Sequence, residues 1–410
     1  MKPTVSPLFS CIDLFCGCGG NSWGMLQGGK SRSLEPLLAL DNDPYALATY
    51  QHNMPSVEVV QGDIRETAPS FLLDRIGLRP GALGCLIASP PCQTYSRNNR
   101  LPKDKHDHRY VLYTHTLKMI RGIRPWVVFM ENVPEMETCH DGIYHTDFLA
   151  CLEQLGYTPR YWTVDAADYG VPQHRQRLVY LAYRNEMGVL PQCPPPTHGE
   201  ASGLFPWVTV EEAIADLPAR SAGVTEESFM AEPAHLLKRS AYAWARRPVR
   251  SSLVFNHSTR ELNAVQLRRL QSLKEGQAYN DLPADLRPAK GYKASYGRLW
   301  RSKPAQTLTT YLAYPSSGRF SHYEQDRVMS IRESLRLQSF DDDFRVLGNL
   351  SQQSTQVGNA VPPLLATAFK GQIVADLEKV NASFPDHSHM TDETSVSSKS
   401  DNPQEVLLPS

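Results

Sequence analysis

The sequence predicts an α/β fold, a doubly wound and mostly parallel sheet joined to a second, smaller domain. Three observations carry this reading. Apolar strand-length runs alternate with helix-like stretches from the N-terminus to Tyr183. Several of those runs end in an acidic or reactive residue, where ligands gather in parallel sheets. A proline-rich stretch over 191–206 then reads as a boundary linker.

In chain order, residues 8–15 form a short buried-strand pattern, followed by Gly17, Gly19 and Gly20 and by a helix-like stretch over 22–27. Runs 37–41 and 57–63 read as second and third strands, ending in Asp41 and Asp63. Further strands are expected at 83–88, 126–130 and 177–183, and helices near 44–52, 110–123 and 146–155. After the linker the chain is basic and lacks a clear period, so short strands and loops are expected. Regularity returns over 327–340 and over 362–378, the latter read as an amphipathic helix. The Ser-, Asp- and Thr-rich stretch 383–410 is expected to be a disordered tail. The predicted division is a catalytic and cofactor-binding domain over 1–184, completed by 350–382, with the smaller domain over 185–349.

A chain of 410 residues has room for two domains, and its 41% hydrophobic share is ordinary for a soluble protein. No apolar run approaches the roughly 20 residues of a spanning helix. The start, Met1-Lys2-Pro3, is too short and broken for a secretion signal, so a cytoplasmic location and no membrane partner are expected. Eight cysteines in a chain this long are not a disulfide scaffold. Cys16 and Cys18 lack a second pair that would complete a zinc site, so no metal is expected. The net charge of −1 conceals an asymmetry. Residues 238–303 hold 15 Lys/Arg against 4 Asp/Glu, while 383–410 hold 5 Asp/Glu against 1 Lys. Tyr242, Trp244, Tyr292, Tyr296 and Trp300 lie among the basic residues, a combination that favours phosphate and base contact.

Chemistry concentrates in four stretches. Pro90-Pro91-Cys92-Gln93 sets a cysteine on a di-proline turn after an apolar run, with Arg97 and Arg100 near enough in sequence to favour a thiolate. A second run ends in Glu131-Asn132-Val133. A thiolate suits attack on C6 of a pyrimidine, which makes C5 nucleophilic. A half-buried carboxyl group such as Glu131 then suits N3, where charge builds. In the glycine loop, Asp13-Leu14-Phe15-Cys16-Gly17-Cys18-Gly19-Gly20 follows the first strand without a phosphate-cradling pattern. With Asp41 as a ribose-hydroxyl acceptor and Asp63 for an adenine amino group, it suits a nucleoside cofactor lacking a pyrophosphate. In Gln173-His174-Arg175-Gln176-Arg177, strand geometry would put Gln173, Arg175 and Arg177 on one face, leaving His174 and Gln176 exposed. Gln356 to Pro363 reads only as a helix start.

Together these residues resemble the cytosine-C5 DNA methyltransferases of prokaryotic restriction-modification type. Further stretches add to the resemblance: Gly62-Asp63-Ile64, Arg298-Leu299 with Lys303 to Thr307, and Arg332-Glu333 with Arg336 to Phe340. The order of the motifs over 8–183 and 297–372 is that of the family. The resemblance implies a Rossmann-like S-adenosylmethionine-dependent fold and a target-recognition region across the unmatched middle. It implies methyl transfer to C5 of a flipped-out cytosine in a specific duplex sequence. Cys92, Glu131, Arg175 and Arg177 would be catalytic, with Arg177 on O2. Asp13, Phe15, Gly17, Gly19, Gly20, Asp41, Asn42, Asp63, Ile64, Pro90, Leu112 and Asn359 would bind S-adenosyl-L-methionine. Gln93, Ser96, Arg97 and Gln173 would bind substrate. Double-stranded DNA is the implied partner of an enzyme expected to be a monomer, and a restriction endonuclease acting on the same site is the implied companion. Cys16, Asp41 and Tyr95 stand where alanine, glutamate and phenylalanine are usual. The tRNA-methylating branch is the nearest alternative, but it carries Phe-Thr where this chain has Tyr95-Ser96, and its Cys-Phe-Thr motif is missing. A non-catalytic DNA-binding relative is the other, against which Cys92 and Glu131 both argue.

Overall fold

The computed structural model describes residues 6–27, 32–91, 112–223, 228–230, 239–246 and 253–383. Cys92, Gln93, Ser96 and Arg97 therefore lie outside the described residues. The first half is built from β1 (Ser10–Leu14), α1 (Gly20–Leu26), β2 (Glu35–Asp41), α2 (Pro44–Asn53), β3 (Glu58–Gln61), α3 (Pro69–Ile76) and β4 (Cys85–Ala88). It continues with α4 (Leu112–Ile123), β5 (Val127–Asn132), α5 (Ile143–Gln154), β6 (Tyr157–Asp165) and β7 (Gln176–Arg184). These strands form one seven-stranded sheet in the order β3-β2-β1-β4-β5-β7-β6. The first five strands are parallel, whereas β7 runs antiparallel to both β5 and β6. The connections leave β1 in opposite directions, through β2 on one side and β4 on the other. The crevice between β1 and β4 is thus the switch point of the sheet.

Both faces of the sheet are covered, which explains the continuous apolar runs in its strands. Ile12, Leu14, Leu86, Val128 and Met130 pack on one side with Leu72, Ile120 and Phe148. Their alternates Cys11, Ile87, Val127 and Phe129 pack on the other side with Phe369, Ile373 and Leu377. The last three belong to helix Pro363–Ser383, which buries most of its circumference along its first half. It is a core helix, more fully buried than the amphipathic helix that the sequence suggested.

Three elements differ from the sequence reading. Helix α3 and strand β6 are additional to it. Strand β6 alternates polar and aromatic residues on an exposed edge, so it has no apolar run to mark it. Residues 356–363 span a break between helices. Helix Leu350–Asn359 ends there, and Pro363 opens the next. Beyond β7, short elements surround a third apolar cluster that includes Val210, Leu299, Phe320, Leu335 and Phe344. Cys18 of the glycine loop and Val357 join that same cluster, so the second region is cemented to the glycine-loop end of the first.

Candidate active site

The glycine loop leaves β1 through Phe15, whose φ of 55° is rare for a non-glycine residue. The Gly17 N–H then donates to Asp41 Oδ2 at 2.8 Å, and the Asp43 N–H donates to Asp41 Oδ1 at 2.9 Å. The Asp41 carboxylate is thereby aimed beside the loop, and burial raises its pKa. Gly20 packs so tightly that an added Cβ would lie 2.2 Å from the Val361 carbonyl oxygen. Residues 356–363 thus act as a wedge behind α1. Asn359 itself is exposed at the end of its helix, and Asn42 is exposed after Asp41.

Asp13 lies beneath the loop. Its Oδ2 accepts from Ser22 Oγ at 2.6 Å, and Tyr50 donates to the same serine at 2.7 Å. Burial pushes the Asp13 carboxyl up to about 7, against the lowering effect of the Ser22 hydroxyl. Asp13 Oδ1 and Asn21 Oδ1 are buried acceptors without a hydrogen-bond partner among the described residues. Asn21 Nδ2 donates to Ser89 Oγ at 3.0 Å, across the switch point. Two open acceptors beside a ribose-type carboxylate fit a cofactor with a cationic amino-acid end and a nucleoside end. Asp63, half-exposed at the end of β3, is tied to Arg65 instead. Hydrogen bonds from the Arg65 side chain and backbone lower its carboxyl to about 2. Ile64 is buried beside it, and Leu112 is half-buried at the start of α4.

The candidate catalytic edge is at the ends of β4 and β5. Glu131 is 7% exposed and forms an ion pair with Arg177, itself 8% exposed, from the neighbouring strand β7. Asn132 Nδ2 donates to the Pro90 carbonyl at 3.2 Å, and its Oδ1 accepts the Val133 N–H at 2.8 Å. Asn132 therefore fixes the backbone two residues before Cys92. It was quoted within a motif but given no role of its own by sequence reasoning. Asn21, Ser22, Ser89 and Tyr50 were missed as well, because short polar side chains carry no periodic signal.

Arg175 and Gln173 are both held by the protein. Arg175 is 2% exposed and donates to the carbonyls of Leu308 at 2.9 Å and Gly358 at 2.8 Å. Its guanidinium thus ties the chain just before β7 to the Leu308 and Gly358 backbone. Gln173 is fully buried. It donates to the Leu337 carbonyl at 3.1 Å and accepts the Leu308 N–H at 2.8 Å. Both ends of its amide are spent on the protein. Strand β7 begins only at Gln176, so the three residues do not share a regular strand face. His174, expected to be exposed, is half-buried and sits 2.9 Å from Asp165. No cluster of potential metal ligands occurs among the described residues.

The sequence profile of the C-5 cytosine-specific DNA methylases matches residues 9–375. The Type II methyltransferase M1.HphI of Haemophilus parahaemolyticus is 32% identical over 87% of this chain and 84% of its own. The Type II methylase M.HgiDII of Herpetosiphon aurantiacus is 31% identical over 90% of this chain and 95% of its own. A prophage-encoded E. coli protein assigned as a DNA modification methyltransferase shares the fold, with a TM-score of 0.71 and 20% identity, covering 90% of this chain and 99% of its own. The geometry of the switch point and the extent of these matches agree: the chain belongs to the C-5 cytosine-specific DNA methylase family.

Proposed function

We propose that this enzyme methylates C5 of a cytosine within a specific duplex DNA sequence, as the modification partner of a bacterial cytoplasmic restriction system. The observation that carries the reading is the buried Glu131–Arg177 pair standing beside Asn132, which grips the Pro90 carbonyl ahead of Cys92. A planar base turned out of the duplex toward this edge would present N3 and its exocyclic amine to Glu131, and O2 to Arg177. Cys92 attacks C6, the 5,6 double bond becomes the C5 nucleophile, and Glu131 stabilises the charge drawn onto N3. S-adenosylmethionine supplies the methyl group when bound. Asp41 holds the ribose of that cofactor, and Asp13 and Asn21 face its cationic end. Loss of the C5 proton then restores the double bond and expels the Cys92 thiolate.

Duplex DNA containing 5-fluorocytosine cannot lose that last proton, so it should trap the enzyme as a denaturation-resistant adduct. Wild type should form the adduct and Cys92→Ser should not, while S-adenosylmethionine affinity stays nearly unchanged in the variant. An adduct formed equally well by the serine variant would move the nucleophile elsewhere. Methylation of tRNA in preference to duplex DNA would overturn the substrate.

A further inference from the structure

An open cleft of about 580 Å³ lies on the second region. Arg260, Glu261, Leu262, Asn263, Gln266 and Leu350 line it. The Arg260 guanidinium lies over the Tyr314 ring, 4.0 Å from its centroid. That guanidinium has no hydrogen-bond or ion-pair partner among the described residues. Stacking therefore fixes its plane while its N–H fork stays open. Asn263 and Gln266 cap helix Ala264–Gln271 reciprocally. Asn263 Oδ1 accepts the Gln266 N–H at 2.9 Å, and Gln266 Oε1 accepts the Asn263 N–H at 3.2 Å. With the oxygens spent, the two amides offer their N–H₂ groups. The cleft is thus rich in oriented donors.

The cleft is fixed relative to the catalytic edge. Tyr314 meets Tyr311 edge-on, with centroids 6.4 Å apart, and Tyr311 is 63% exposed. Three residues before Tyr311, the Leu308 carbonyl receives Arg175. A Cβ on Gly358 would come within 2.4 Å of the Thr309–Thr310 backbone, so the helix that Leu350 begins is pressed against the same segment.

We propose that Arg260 is a specificity-determining residue that reads a guanine in the major groove, held in plane by Tyr314. Guanine presents two adjacent acceptors there, O6 and N7, which match a guanidinium fork. The Glu261 carboxylate in the same lining disfavours a phosphate but tolerates a base edge. The inference rests on the DNA substrate argued above.

Wild type, Arg260→Gln, Arg260→Ala and Tyr314→Leu would be incubated with a duplex library randomised around cytosine, and the methylated sequences read out. Wild type should require guanine at one position. Both Arg260 variants should accept other bases there, with kcat/KM on the original sequence down about ten- to hundredfold. Tyr314→Leu should relax the same position less. The slope of DNA affinity against salt should stay unchanged. Retention of the guanine in both Arg260 variants would overturn the proposal. So would a loss spread evenly over all sequences with a salt slope smaller by about one, which marks a phosphate contact. A wild-type enzyme that methylates no duplex at all would overturn the DNA reading itself, and this inference with it.

Discussion

Arg175 and Arg177 stand two positions apart and do different work. Arg177 meets Glu131 at the catalytic edge, while Arg175 satisfies two backbone carbonyls in the wall behind it. Arg175→Ala should therefore act on stability. Losing hydrogen bonds from a charged donor to two buried carbonyls should cost about 2–4 kcal/mol in a denaturant titration. Arg177→Ala leaves Glu131 buried without its cation, so it too should cost stability. In the fraction that folds it should also lower kcat by about 10²–10³, the usual effect of deleting a donor aimed at developing charge. An Arg175→Ala protein of normal stability but with equally depressed kcat would show that both arginines face the substrate.

At the scale of elements, two contacts hold the site in shape. The first is the seat of α1 against Val361. Gly20→Ala must push the helix away from that carbonyl, costing about 1–3 kcal/mol as overpacking does. Because α1 also carries Asn21 and Ser22, S-adenosylmethionine affinity by calorimetry should fall with it. Unchanged affinity would show that the loop adapts independently of the wedge. The second contact is the buried cluster around helix Ile331–Leu337. Glu333 receives both Arg327 N–H groups at 2.7 Å. Burial opposes its charge, yet the Arg327 guanidinium holds Glu333 well below the usual carboxylate range. His257 and His322 lie beside this pair, and burial lowers them to about 4 and about 3 respectively. Folded, both stay neutral where the unfolded chain would already bind a proton. Their contribution is present above the unfolded value of 6.5 and is lost as pH falls toward about 4. His257→Gln should lose less stability than wild type between pH 6.5 and pH 4.5. Parallel pH curves for the two proteins would contradict this.

For the whole molecule, part of the basic middle of the chain is structural. Arg298 donates to the carbonyls of Leu270, Leu273, His322 and Gln325, and Arg319 to those of Gly276, Gln277 and Arg298. These arginines replace the backbone ladders that a region of short elements lacks. Lys290 and Lys293, by contrast, are exposed. Exchanging Lys290 and Lys293 for alanine should lower DNA affinity evenly across sequences and reduce the salt slope by about one per lysine. Arg298→Ala should instead destabilise the protein by about 3 kcal/mol or more. A salt slope reduced by Arg298→Ala in a stable protein would place that side chain on DNA.

What the sequence determined by itself was the sheet and its chemical inventory. Runs such as 10–14 and 127–132 are apolar because both faces of the sheet are covered, and that requirement is written locally. Asp41, Glu131 and Arg177 were legible for the same reason, since each sits at a strand end or start where the apolar pattern stops. Tertiary structure decided which polar residues are structural. Gln173 and Arg175 carry the same chemistry as groups that bind ligands. Only the arrival of Leu308 and Gly358, more than a hundred residues later in the chain, shows that their hydrogen bonds are already used. The antiparallel placement of β7 between β5 and β6, which brings Arg177 to Glu131, was likewise not local information. Strand order and the partners of buried polar groups depend on contacts between distant segments, and one segment read alone does not contain them.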